Sequence, residues 1–231
     1  MGASMSMNSR PENLSLAHAQ SMDRIYALQR HIYDLTRAYY LLGRDQLLRR
    51  LNPSPGAHIL EMGCGTGRNL IKAARLYPEA QFHGLDISQE MLRTAGAAIA
   101  RRGLSSAITV ACADATSVDA ARLFGEARFE HVFFSYTLSM IPDWQAALRQ
   151  GFKLVAPGGT LHVVDFGDCG HLPASFRRGL YAWLRQFHVT PRHELEGALH
   201  ALLAAEGGSL VFTRPFRGYA QLAQLSKLAR P

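Results

Sequence analysis

Short apolar runs recur along this chain at intervals that leave room for a helix between them. Ala57–Met62, Gln81–Leu85, Ile108–Cys112, Glu130–Ser135 and Thr160–Asp165 read as strands. Between them, Arg68–Tyr77, Gln89–Arg102 and Trp144–Leu154 read as helices, with a shorter one near Val118–Phe124. Repeated strand–helix units predict an α/β fold with a parallel sheet wound on both faces. Pro157-Gly158-Gly159 is expected to turn into the fifth strand. The rhythm then changes. Helices are expected over Ala174–Phe187 and Arg192–Glu206, ahead of Ser209–Thr213 and a final segment, Tyr219–Ser226, whose pattern suits a helix or a strand. Upstream, Ala19–Leu51 reads as one or two helices with a break at Gly43, and residues 1–18 as a disordered leader.

The first strand runs into ILEMGCGTGRNL, Ile59 to Leu70, where Gly63, Gly65 and Gly67 alternate just before a helix begins. Bare glycines let the main chain turn sharply and let a ligand lie against it, while the helix start offers unpaired N–H groups. Asp86 closes the second strand, nineteen residues after Gly67, where a carboxylate can accept both hydroxyls of a ribose. A glycine-rich turn with a downstream acid is the layout of a nucleotide-type cofactor site. The spacing is G-x-G-x-G rather than G-x-G-x-x-G, and no Gly-Lys-Ser/Thr follows.

With Glu61 two residues before the first glycine, this stretch resembles motif I of the class I S-adenosylmethionine-dependent methyltransferases. That resemblance implies a Rossmann-like, doubly wound, seven-stranded sheet closed by an antiparallel hairpin. It also implies S-adenosyl-L-methionine as cofactor. The expected cofactor residues are Glu61, Gly63, Cys64, Gly65 and Gly67 from the first loop, and Asp86 and Ile87 from the second. Asp114 and Ala115 come from the third, with Asp114 toward the adenine amine or else capping the next helix. Ser135 and Tyr136 come from the fourth, beside the methionyl part and the reacting methyl, with Tyr136 alternatively a packed aromatic. No Asn/Asp-Pro-Pro-Tyr/Phe motif follows the fourth strand, which argues against a nucleobase or glutamine acceptor.

Composition narrows the setting. The 231 residues suit one domain with additions, and no apolar run approaches the roughly 20 residues of a membrane span. The N-terminus lacks the apolar region of a secretory signal, although Gly2 and Ser6 fit the loose myristoylation pattern. Three scattered cysteines suit free thiols in a cytoplasmic protein rather than a disulfide frame, and no metal site is expected.

The net charge of +7 is unevenly placed. Residues 53–165 carry ten basic and ten acidic groups, whereas residues 1–52 carry seven and four, and residues 166–231 eight and four. Basic flanks around a neutral core suit an anionic partner surface.

Those flanks hold the remaining candidates. Tyr33, Arg37, Tyr40 and Arg44 repeat along a predicted helix as a lid for an anionic group and a methylated nitrogen, or simply pack on the sheet. In Ala174–Phe187, Phe176, Leu180, Trp183, Leu184 and Phe187 share one side and Arg177, Arg178 and Arg185 the other, as in a membrane-surface helix or one packed on its domain. His188 and His193 follow. Tyr33, Tyr136 and His188 are the candidates to take a proton from an amine substrate.

HIYDLTRAYYLLGRD, the glycine loop, FFSYTLSMIP, DFGDCGHLP and FHVTPRHEL together resemble the S-adenosylmethionine:diacylglycerylhomoserine N-methyltransferases of betaine-lipid synthesis, from about Arg24 to Leu225. This implies three successive methylations of a homoserine amine on a diacylglyceryl lipid. The expected partners are a lipid headgroup and an anionic membrane surface, met peripherally at the inner face. Alternatives are a methyltransferase for a quinone precursor or soluble amine, and, from another class, a non-catalytic RNA-binding protein; no nucleic acid is expected. The domain expectation is a helical cap over residues 19–52 and a methyltransferase domain over 53–231, with a helical insertion at about 170–206.

Overall fold

The computed structural model describes residues 41–229. Seven strands form one sheet: β1 (His58–Met62), β2 (Gln81–Asp86), β3 (Ile108–Cys112), β4 (Phe129–Ser135), β5 (Val155–Phe166), β6 (Ser209–Thr213) and β7 (Ala220–Ser226). Their order is β3-β2-β1-β4-β5-β7-β6, parallel except at β7, which pairs antiparallel with both β5 and β6. The helices are α1 (Arg44–Leu51), α2 (Arg68–Leu76), α3 (Gln89–Ala100), α4 (Ala120–Phe124), α5 (Trp144–Leu154), α6 (Ala174–Gln186) and α7 (Leu195–Glu206). Predicted Tyr33, Arg37 and Tyr40, the leader and the helix over residues 19–40 lie outside the described residues.

Alternation along the strands divides the core in two. Ile59, Phe133, Val164 and Phe166 face one side with Leu48, Leu51, Leu70 and Ile99 from α1, α2 and α3. Leu60, Met62, Phe134, Leu161 and Val163 face the other, with Leu148, Phe152, Leu195 and Leu199 from α5 and α7. Both faces are covered, as the uninterrupted apolar runs require.

Three boundaries depart from expectation. The final segment is strand β7, because its main chain sits between β5 and β6 and has hydrogen-bonding partners on both sides. Pro157-Gly158-Gly159 lies inside β5 as a bulge: Phe129 pairs with Val155, and His131 already with Thr160. α7 begins at Leu195 rather than Arg192, whose side chain is drawn to the carbonyls of Leu138 and Ile141.

Two part-buried histidine pairs cross the sheet away from the glycine loop. His58 Nδ1 meets His83 Nε2 at 3.1 Å, and His131 Nδ1 meets His162 Nε2 at 3.2 Å. Burial, then the neighbouring ring, lowers His83 to about 4 and His162 to about 3. Both rings therefore stay neutral in the fold, and stability falls as the pH drops below the ordinary imidazole value toward those figures. Buried Asp165, raised to about 6, works in the opposite sense, favouring the fold as it protonates. His162→Gln is expected to flatten the acid loss by about 2 kcal/mol between pH ~7 and pH ~4.5. Urea midpoints at the two pH values measure it, and an equal loss in both proteins would acquit His162.

Candidate active site

The sheet order reverses between β1 and β4, so their carboxyl ends diverge and leave a crevice. The loop after β1 forms one lip and the loop after β4 the other. Gly63, Gly65 and Gly67 all have left-handed φ, at 80°, 53° and 73°. The N–H groups of Gly63 and Cys64 both donate to the Leu85 carbonyl at 2.8 Å, which bends the loop over the end of β2. α2 then starts from Gly67 with no side-chain cap hydrogen bond. Across the gap, Thr137 Oγ1 donates to the Gly63 carbonyl at 3.4 Å.

The carboxylates frame this loop. Glu61 is buried at the end of β1, and its Oε1 accepts from Asn69 Nδ2 at 2.6 Å, tying the strand to the first turn of α2. Asp86 accepts from the Gly65 N–H at 2.8 Å through Oδ2 and from the Ser88 N–H at 2.9 Å through Oδ1. Its carbonyl takes the Ala113 N–H, which brings the third loop alongside the second. Between these acids the Cys64 thiol is pushed well up by burial and then by the charges of Asp86 and Glu61. The pocket is therefore electronegative at the loop, which suits a cationic group.

The pocket itself is lined by Leu41, Arg44, Glu61, Gly63, Cys64, Gly65, Thr66, Arg68, Asn69 and Ser135. The Ser135 hydroxyl is buried with no hydrogen-bond partner among the described residues, so a ligand atom is the natural recipient. Arg44, expected on the substrate side, lines this pocket. Arg68, Asn69, Thr66 and Leu41 were not singled out by sequence reasoning. Only their closeness to the glycine loop hinted at them.

The other expected residues take distinct places. Ile87 follows Asp86 and is half-buried; Ala115 is buried. Asp114 Oδ1 accepts from both the N–H and the hydroxyl of Thr116 at 2.8 Å, and the cap of α4 is Asp119, not Asp114. Asp114 thus closes a turn at the end of β3.

Two proton-acceptor candidates have defined surroundings. Tyr136 is buried at φ 57°, its ring edge-on to Phe166 at 4.7 Å, and its hydroxyl donates to the Leu42 carbonyl. Burial and the nearby Tyr219 and Asp165 push that phenol well above its ordinary range. Its ring and hydroxyl join the N-terminal flank to the sheet. His188 is exposed after α6, in a left-handed turn. Its neighbours reach inward instead: Phe187 packs on Met91 and Met140, and the Thr190 N–H donates to the Ser139 carbonyl.

A second network holds the β4 loop. Asp165, fully buried at the end of β5, accepts from the Ser139 N–H at 3.0 Å and the Phe166 N–H at 2.8 Å. Arg192 donates Nε to the Leu138 carbonyl at 3.0 Å and Nη2 to that of Ile141 at 2.7 Å, and its own carbonyl takes Gln221 Nε2. The segment between α6 and α7 is thereby fastened to the crevice lip. A charged residue ending an apolar strand was the signal for Asp165; nothing in the sequence marked Arg192.

All three cysteines are free thiols, and no cluster of metal-binding side chains occurs among the described residues. No helix among them is long and apolar enough to cross a membrane.

Residues 59–159 match the sequence family described as a methyltransferase domain. The chain is 32% identical over 67% of its length to O-methyltransferase cnsE of Penicillium expansum. It is 27% identical over 62% to the demethylmenaquinone methyltransferase of Geobacillus kaustophilus. It spans 56% of the length of each of these relatives. Among solved structures, an O-methyltransferase family protein from Burkholderia thailandensis superposes with a TM-score of 0.67 at 15% identity, covering 93% of this chain and 63% of the other. The Haemonchus contortus phosphoethanolamine N-methyltransferase 2 in complex with S-adenosyl-L-methionine gives 0.61 at 17%, covering 81% and 52%. The sheet shares the fold of these solved structures, and residues 59–159 are similar to the methyltransferase-domain family.

Proposed function

We propose that this methyltransferase domain binds S-adenosylmethionine in the β1–β4 crevice and methylates the amine of a lipid headgroup. One observation carries the cofactor half. Main chain free of Cβ atoms, two carboxylates, two guanidinium groups and the buried Ser135 hydroxyl converge on one pocket and its rim. Arg44 and Arg68 suit the carboxylate of a methionyl group, and Glu61 and the loop acids its cationic atoms. Asp86 would hold the ribose, with Ile87 and Ala115 against the adenine and Asp114 at its amine.

Bound there, the cofactor supplies a methyl group on a positively charged sulfur. The chain's contribution is positioning: a rigid loop, a ribose anchor, and a second lip fixed by Asp165 and Arg192, which act as positioning residues. In-line transfer needs no covalent residue, and the amine's proton has no assigned acceptor.

The lipid acceptor rests on the resemblance to the diacylglycerylhomoserine N-methyltransferases and on the basic excess of both flanks. On this reading residues 19–52 cap the acceptor side, residues 170–206 form the other wall, and the enzyme works peripherally at the inner membrane face. Supplied with methyl-labelled cofactor and diacylglycerylhomoserine, the protein is expected to yield the mono-, di- and trimethylated lipids in turn. The quinone methyltransferases among its relatives favour a second reading, a quinone precursor as acceptor. Label appearing in demethylmenaquinone and not in the homoserine lipid would select it.

A further inference from the structure

Tyr136 follows β4 in a conformation that the fold holds against local preference. Its φ of 57° is left-handed, which a bulky aromatic residue rarely adopts. Three contacts impose it. The N–H donates to the Val164 carbonyl at 2.8 Å, the ring lies edge-on to Phe166, and the hydroxyl donates to the Leu42 carbonyl. The first two fasten the residue to β5. The third reaches out of the sheet to the N-terminal flank, 94 positions back in the chain. Strain of this kind, sustained by surrounding contacts, clusters at ligand sites.

What the hydroxyl holds is the entry to α1. Leu42 and Gly43 precede Arg44, the first residue of that helix and part of the pocket wall. Gly43 turns with φ 85°, and a Cβ there would stand 2.8 Å from Leu222 Cδ1 and 3.3 Å from Val164 Cγ2. The turn is therefore pressed against the sheet, with room for main chain only. Gly43 supplies no side-chain cap, and among the described residues the Leu42 carbonyl is held by the Tyr136 hydroxyl.

The body of α1 is secured separately. Leu47, Leu48 and Leu51 are buried, and Asp45 pairs with Lys72 of α2 at 2.7 Å. Tyr77, just past α2, donates its hydroxyl to the carbonyls of Leu48 at 3.2 Å and Arg49 at 3.0 Å. Loss of the Tyr136 hydroxyl thus releases the first turn and leaves the helix docked.

The first turn carries Arg44. Its side chain is only 14% exposed, and its charge is felt at the Tyr136 phenol, where it works against the larger effect of burial. A guanidinium grips a carboxylate with two parallel hydrogen bonds only when its planar fork is aimed at it. The clasp at Leu42 fixes the backbone from which that aim starts.

We infer that Tyr136 is a positioning residue for the cofactor's carboxylate: its hydroxyl clasps the Leu42 carbonyl and, through the Gly43 turn, sets Arg44 in the pocket wall. The inference rests on the S-adenosylmethionine pocket proposed above, in which Arg44 meets the methionyl carboxylate, and does not require the lipid acceptor.

Decarboxylated S-adenosylmethionine keeps the adenosine, the sulfonium and the ammonium and lacks only the carboxylate, so it isolates this contact. In calorimetric titrations of the full chain, the wild type is expected to bind S-adenosylmethionine more tightly than the decarboxylated form. Tyr136→Phe keeps the ring and removes the hydroxyl. It is expected to weaken S-adenosylmethionine binding about tenfold and that of the decarboxylated form by less than about twofold. Arg44→Gln is expected to show at least the same selective loss, and the double variant no further loss, since both substitutions break one path. Gly43→Ala crowds Leu222 with the hydroxyl still in place, and is expected to lose the same preference. Tyr77→Phe loosens the far end of α1, and is expected to melt earlier with the preference intact.

Equal weakening of both ligands by Tyr136→Phe would make the residue a packing element and overturn the inference, as would unchanged affinity for both. Additive losses in the double variant overturn it too, because Tyr136 would then act by another route. So does loss of the preference in Tyr77→Phe, since any loosening of α1 would suffice. A wild type that binds both ligands equally removes the Arg44 contact, and this inference with it, while the pocket stands. A wild type that binds neither ligand overturns the pocket itself.

Discussion

Gly63→Ala is expected to abolish measurable S-adenosylmethionine binding. An added Cβ would stand 2.2 Å from Thr137 Cγ2, at a residue whose φ of +80° already disfavours a side chain. The left-handed conformation alone costs about 1–2 kcal/mol. The clash costs more, because Thr137 is anchored through its hydroxyl to the carbonyls of Gly63 and Ser135 and has little room to withdraw. The two lips must then part, which displaces both the bare main chain and Ser135 from one another. Gly56→Ala separates strain from clash. Its φ is +78° but nothing lies within 4 Å of the new atom, so it carries the conformational cost alone. Calorimetric titration with the cofactor, beside thermal melts, is expected to show both variants destabilised and only Gly63→Ala unable to bind. Normal affinity in Gly63→Ala would move the cofactor off this loop.

Asp86→Ala is expected to weaken cofactor binding by at least about tenfold, roughly 1.4 kcal/mol or more. In the structure this carboxylate is shared between the Gly65 and Ser88 N–H groups, so its loss also releases the glycine loop from β2. Hydrogen bonds to a charged group contribute about 1.5–3 kcal/mol, and the variant is expected to melt earlier even without cofactor. The ribose role has its own signature. S-adenosylhomocysteine and methylthioadenosine carry the same sugar, so a ribose anchor predicts the same fold-loss for both, whatever the methionyl end contributes. Unchanged affinity for all three ligands would leave Asp86 as a loop clasp only.

The place of Asp86 shows how far pattern reading reaches. The acid was recognisable because it ends an apolar strand at a telling distance from the glycines, yet its grip on Gly65 depends on β1 and β2 lying side by side. Tyr136 shows the reverse case. Its position after β4 suggested contact with the methyl group, but φ 57° swings the ring into the core and its hydroxyl to Leu42, a residue 94 positions away. Backbone torsion at one residue settled what sequence spacing left open between pocket and core.

The sequence alone determined the α/β repeat, the glycine loop and the acid opposite it, because strand and helix periods and a Cβ-free turn are local properties of consecutive residues. It also placed the charge excess in the flanks. Only tertiary structure decided that β7 is a strand, that Arg44 joins the pocket at the glycine loop, and that Asp165 and Arg192 brace the second lip. The same holds for Trp183, which packs on the core rather than facing outward. Each of those depends on contacts between segments far apart in the chain, where the energy of burying or pairing a group is set by what the fold brings against it.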